Sequence, residues 1–215
     1  MAVVSALKAT RSGRVAVHLD GAFFCTVGEA LLVRLGLFAG RSLTDQQVQL
    51  LQGEASAERA LADAHRLLAH RPRACAELGA RLAAKGHPEQ AVQRALSQLQ
   101  EGGLVDDAAF ARAIVADRRR LNGWGSERIA RELVRLGTDP AAVQAALTSS
   151  AGGGEEDELQ RALQLLSRRG PSAAPQTAKR RAYQLLLRRG FSTTVAYAAV
   201  QRWAADTRPD ADESP

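Results

Sequence analysis

Three sets of residues in this 215-residue chain have types and spacings that could do chemistry. Asp106 and Asp107 are adjacent carboxylates, the raw material of general acid–base catalysis. His65 and His70 could ligate a metal, and Gly152-Gly153-Gly154 ahead of Glu155-Glu156-Asp157-Glu158 offers the glycines of a phosphate loop. Each set fails on its surroundings. No base, nucleophile or metal cluster accompanies the aspartates, and helix capping accounts for them: Asp106 is placed as an N-cap, with Val105 and Phe110 at the staple positions. The two histidines are five apart, not the four of a helical metal pair, and with His18 and His87 they read as surface or turn residues. The glycine run lacks a following Lys-Ser/Thr and has no strand before it. Cys25 and Cys75 are far apart and show no metal spacing, which fits a reducing compartment. No catalytic residue, metal site or cofactor site is expected, and no enzymatic activity.

What remains is arginine. Of 29 basic residues, 26 are Arg and three are Lys, against 23 acidic residues, for a net charge of +6. Arg118-Arg119-Arg120 closes one expected helix, where positive charge suits the C-terminal dipole. Arg128, Arg131 and Arg135 fall on one face of an expected helix at 126–136, apart from the apolar stripe of Ile129, Leu133 and Leu136. Lys179-Arg180-Arg181 and Arg188-Arg189 follow in the third segment, the most basic part of the chain. Such clusters suit an acidic protein surface or phosphates. Trp124, between Gly123 and Gly125, is either an exposed contact aromatic or an anchor between two helices. Tyr197 and Trp203 are at helical spacing and are expected in the core.

The elements that hold these residues are mostly helices, and they repeat. Gly86, Gly137 and Gly190 each have Leu four residues before them (Leu82, Leu133, Leu186) and an aliphatic residue ten after (Leu96, Leu147, Val200). A helix ends at a left-handed glycine, a short turn follows, and a new helix begins, with Pro88 and Pro140 at its first position. Another helix precedes each pair, near 55–69, 107–121 and 155–169. The chain therefore divides into residues 55–104, 105–152 and 153–206, each a three-helix repeat too short-limbed to stand alone. Ahead of them, residues 1–54 hold a β-hairpin around Asp20-Gly21, a short helix at 29–35, and a helix start at Thr44 with Gln47 completing a capping box. Gly152–Gly154 is expected to be a flexible joint, Glu155–Glu158 to favour a helix N-terminus, and residues 207–215 to be a disordered acidic tail. The expected fold is mainly α: three tandem three-helix repeats in an elongated array behind a small N-terminal β-hairpin. The first residues are too polar for a signal peptide, and no run approaches the 18 apolar residues of a membrane span. The chain is read as a soluble, cytoplasmic monomer with no membrane partner.

One stretch carries a resemblance. Gly103, Leu104, Asp106, Asp107, Phe110, Arg118, Gly123, Gly125, Ile129, Glu132, Leu133 and Gly137 closely resemble the central motif of the RecX family of recombinase regulators. Arg71, Glu77, Leu78 and Leu82 are similar to the family's earlier motif; Leu186, Arg189, Gly190 and Phe191 are similar to its last. Ala74 departs from the pattern, standing where the family has a helix-capping serine. The resemblance covers about residues 55–205. It implies arrays of three-helix modules that bind RecA filaments in their helical groove. Such proteins block extension or promote disassembly, and so dampen ATP hydrolysis, strand exchange and co-protease activity. The partner-contact candidates are then Arg118, Arg119, Arg120, Trp124, Arg128, Arg131, Arg135, Lys179, Arg180, Arg181, Arg188 and Arg189, with single- or double-stranded DNA a second target. The competing reading is a basic helical DNA-binding module that acts without the recombinase.

Overall fold

A computed structural model describes residues 1–149, 154–168 and 176–206. The glycine joint, apart from Gly154, and residues 207–215 lie outside the described residues. The described chain falls into two compact units, one through Val105 and one from Asp106 onward.

The first unit opens with β1 (Ala2–Ala9), β2 (Val15–Leu19) and β3 (Ala22–Val27), then helix α1 (Glu29–Arg34) and the two-residue strand β4 (Ser42–Leu43). All pairings are antiparallel, in the order β3-β2-β1-β4. The hairpin turns at Asp20 (φ 50°) and Gly21 (φ 87°), both in the left-handed region that a two-residue turn demands. The expected hairpin, β2–β3, is thus one side of a four-stranded sheet, with β3 at its edge. β1 escapes a search for alternation because a bulge between Val4 and Ala6 shifts its register. β4 has only two residues, and its partners Ala2 and Val3 define it. One sheet face buries Val4, Val17, Leu19 and Val27 with Leu31, Leu37, Leu43, Leu51 and Ala55.

Helix α2 (Asp45–His70) starts at Thr44, whose side chain and that of Gln47 form the capping box. It runs unbroken for 26 residues. Its first half belongs to the sheet's core. Its second half packs Ala64 with Leu78 and Leu82 of α3 (Cys75–Ala84) and with Val92, Leu96 and Leu99 of α4 (Glu89–Glu101). Residue 54, the expected edge of the first repeat, therefore lies inside a continuous helix. An apolar face that serves two cores in succession gives no break in composition. Ala74 caps α3 without a side-chain bond, and Pro88 stands just ahead of α4 rather than inside it.

The second unit holds α5 (Asp107–Asn122), α6 (Ser126–Arg135), α7 (Pro140–Ser149), α8 (Glu155–Ser167), α9 (Gln176–Arg189) and α10 (Thr193–Asp206). Asp106 caps α5 by accepting from the Ala109 N–H at 2.9 Å, between buried Val105 and Phe110. Leu159, Ala162, Leu166, Leu186, Phe191, Val195 and Ala199 form the core of the third repeat. Trp203 packs against that core, but Tyr197 does not: it is 63% exposed, on the opposite side of α10 from Val195, Ala196 and Ala199.

The three repeats share one helix stop. Gly86, Gly137 and Gly190 have φ of 83°, 85° and 87°. The residue after each glycine donates its N–H to the repeat's leucine: His87 to Leu82 (3.3 Å), Thr138 to Leu133 (3.0 Å) and Phe191 to Leu186 (3.1 Å). Each glycine N–H also bonds the carbonyl three residues back. These paired bonds are a Schellman motif, and they explain why leucine and glycine recur at fixed spacing. His87, Thr138 and Phe191 all turn inward. His87, expected at the surface, is instead largely buried and lies 2.8 Å from the Asp63 carboxylate.

Candidate partner-binding surface

The surface is built where the second and third repeats meet. α5 ends at Gly123, left-handed at φ 58°, so the chain turns back at once into α6. Gly125 then comes against the α9–α10 turn. Its N–H donates to the Arg189 carbonyl at 3.0 Å, and the Glu127 N–H donates to the Gly190 carbonyl at 3.0 Å. A Cβ on Gly125 would lie 2.3 Å from the Gly190 oxygen, and one on Gly190 would lie 2.2 Å from the Arg128 Cβ. Only glycine at both positions lets the two backbones touch.

Carboxylates fix the rest of the junction. Glu158 of α8 accepts from the Ser126 N–H (2.7 Å) and hydroxyl (2.9 Å), capping α6, whose own N-cap Gly125 has no side chain to offer. Glu158, expected to serve its own helix's N-terminus, serves a neighbour's. Glu132 receives Arg118 through Nε (2.8 Å) and Nη2 (2.7 Å). The Arg118 hydrogen bond holds the Glu132 carboxyl below the ordinary glutamate range, against its partial burial, and the same bond raises the Arg118 guanidinium further.

Trp124 stacks against two arginines. It is half-buried, with the Arg128 guanidinium 3.9 Å from its ring centroid and that of Arg118 at 5.4 Å. Each cation gains from the negative π face of the ring. Arg128 also donates to the Arg188 carbonyl (3.2 Å), and Arg189 donates to the Asn122 carbonyl (2.7 Å), so both arginines clamp the junction. Arg131 and Arg135 extend outward along α6 and are exposed, with Val134 between them 52% exposed. Arg120, Arg180, Arg181 and Arg188 are exposed as well, and Lys179 is half-buried. Arg181 and Arg188, seven apart on α9, share a face.

One candidate moves out of the contact set. Arg119 is only 8% exposed and donates to the Leu147 carbonyl at 3.0 Å, near the C-terminal end of α7. Burial, with Arg161 nearby, pushes its pKa down from the usual arginine value. It braces α5 on α7 because the last carbonyls of a helix need donors from outside it. Among the described residues, no group of three or more His, Cys, Asp or Glu could hold a metal ion, and no helix is long and apolar enough to cross a membrane.

Models of three RecX domains match this chain: the first three-helix domain at residues 60–99, the second at 106–147 and the third at 155–200. A protein of Lactobacillus delbrueckii subsp. bulgaricus named regulatory protein RecX is 32% identical over 218 residues, covering 99% of this chain and 78% of its own length. The chain belongs to the RecX family. A regulatory protein RecX from Mycobacterium marinum is 37% identical over 144 residues, covering 66% of this chain and 83% of that one. A solved crystal structure of regulatory protein RecX superposes with a TM-score of 0.73 at 25% identity, covering 94% of this chain and all of the other. RecX from Lactobacillus salivarius shares the fold, with a TM-score of 0.63 over 70% of this chain and 97% of that one.

Proposed function

We propose that this chain is a negative regulator of the RecA recombinase that works by binding, not by catalysis, in the cytoplasm. It seats on the RecA–DNA filament, in the groove between neighbouring protomers. There it blocks extension or promotes disassembly, which lowers ATP hydrolysis, strand exchange and co-protease activity. Family membership supports the partner. The observation that carries the contact surface is the α6 face: Arg131 and Arg135 project beside exposed Val134 from a base locked by Trp124, Arg118, Arg128 and Glu132. Cations beside an exposed apolar side chain suit an acidic protein surface, because a protein interface combines charge with a desolvated apolar centre. Arg188 lies next to this face through its carbonyl bond to Arg128.

The test is the single-strand-DNA-dependent ATPase of the cognate recombinase, titrated with this protein beside a DNA-binding titration without recombinase. Inhibition is expected at protein levels far too low to coat the DNA. Inhibition only at DNA-saturating levels would contradict the proposal and favour a DNA-binding module.

A further inference from the structure

The first repeat carries a second cationic surface that has no run of arginines to announce it. Its centre is Glu77 on α3. A single oxygen, Oε1, receives Arg71 (2.6 Å), Arg73 (2.5 Å) and Arg81 (2.9 Å). Arg73 is buried and also holds the Leu67 carbonyl at 3.2 Å, so it anchors the group. Arg71 and Arg81 remain about half exposed. One turn beyond Arg81 on α3 stands Lys85, 3.6 Å from Asp63 of α2, and Asp63 in turn pairs with Arg66. Five cations thus meet two carboxylates, Arg71, Arg73 and Arg81 on Glu77 and Arg66 and Lys85 on Asp63, in two groups that adjoin through the one-turn spacing of Arg81 and Lys85 and carry three positive charges in excess.

Both carboxyls stay ionised at neutral pH. Burial would raise them, but their hydrogen bonds from Arg81, Arg71 and Arg73, and from His87 together with the charges of Arg66 and Lys85, hold them below their ordinary values. The carboxylates therefore act as fixed pins for guanidinium groups whose outer N–H donors face solvent. The surroundings differ from those of α6. Of the large apolar side chains in residues 55–104 only Leu104, beyond the end of α4, is exposed, and the exposed neighbours on α3 are Ala76, Ala80, Ala83 and Ala84. A protein interface of useful strength needs an apolar or aromatic anchor. A polyanion needs only positioned cations.

We infer that Arg66, Arg71, Arg81 and Lys85 form a binding site for a phosphodiester chain, separate from the α6 face and independent of the recombinase reading. Binding there is chiefly electrostatic and of little sequence preference, since residues 55–104 hold no Phe, Tyr or Trp on which a base could stack.

The experiment uses the full chain without recombinase and a fluorescein-labelled 30-nucleotide oligo(dT), followed by anisotropy across a salt series. For Arg71→Gln/Arg81→Gln/Lys85→Gln, the log–log salt slope should become shallower by about 2, since each single-strand phosphate left without its cation removes about 0.7. Affinity at low salt should fall roughly ten-fold or more. Arg66→Gln/Lys85→Gln, which leaves Glu77 fully paired, should make the slope shallower by about half to two-thirds as much. Arg131→Gln/Arg135→Gln should keep the wild-type slope. The inference is overturned if the wild-type chain does not bind the oligonucleotide, or if the folded triple variant binds as the wild type does. Weakened binding in the α6 variant instead would overturn it too, as would a triple variant that loses only recombinase binding, since the surface would then serve a protein. Should the triple variant fail to fold by circular dichroism, the double variant decides, and an unchanged slope there is fatal.

Discussion

Glu132 shows how a single carboxylate governs this surface: it orients Arg118, which lies against Trp124, and the same ring carries Arg128. Because the folded state depresses its pKa, Glu132 contributes stability that is complete above the unfolded glutamate value of about 4.3 and is lost as pH falls through the lower folded value. Glu132→Gln should cost roughly 1–2 kcal/mol at pH 7 and flatten the fall in thermal stability between about pH 5 and 3. A variant that melts with the wild-type pH profile would show that the pair does not act this way. Thr138 makes the opposite case. It sits 3% exposed at the inward position after the glycine, and its hydroxyl has no hydrogen-bond partner among the described residues. Thr138→Val keeps the branched shape and removes the stranded group, so it should raise stability by about 1 kcal/mol in a denaturant melt. A loss of stability would mean the hydroxyl is satisfied in solution. At Cys25, burial pushes the thiol up to about 11, so it should resist alkylation by iodoacetamide at pH 8 in the folded chain and react once unfolded. Prompt modification of native Cys25 would contradict that placement.

At the scale of elements, the test compares a stop glycine at the junction of repeats with one that meets no neighbour. Gly190→Ala combines a left-handed φ with a Cβ 2.2 Å from Arg128, so it should destabilise by at least about 2 kcal/mol. Gly86→Ala has nearly the same φ but open space around the new Cβ, and should cost about 1 kcal/mol. Equal destabilisation at the two sites, read by urea melts, would show that backbone contact between repeats adds nothing. Helix stops of this kind are legible without a structure. Leucine–glycine spacing exposes them because a Schellman motif is local, and Thr44, Asp20-Gly21 and Asp106 announce their caps and turn for the same reason. The burial of Arg119 and the Glu158 cap on α6 are not legible, since both link residues about 30 apart and either side chain alone looks like surface charge. Tyr197 misleads because helical spacing to Trp203 says two residues share a face only if they lie whole turns apart, and six residues do not. The Glu77 cluster is hidden by its spacing: Arg71, Arg73 and Arg81 converge through a turn and a helix, not a run.

For the whole molecule, the same basic composition supports two kinds of surface. The α6 face combines cations with exposed Val134, whereas the first repeat offers cations over alanines. A regulator with both would hold a protein filament through one unit and its nucleic acid through the other. The most direct measurement of the central claim is binding of the full chain to preformed recombinase filaments, comparing the wild type with Arg131→Glu/Arg135→Glu/Arg188→Glu, none of which clamps the junction through its side chain. The account predicts that the variant keeps its melting profile, binds filaments at least about ten-fold more weakly and no longer inhibits the ATPase. A folded variant that binds and inhibits as the wild type does would contradict it.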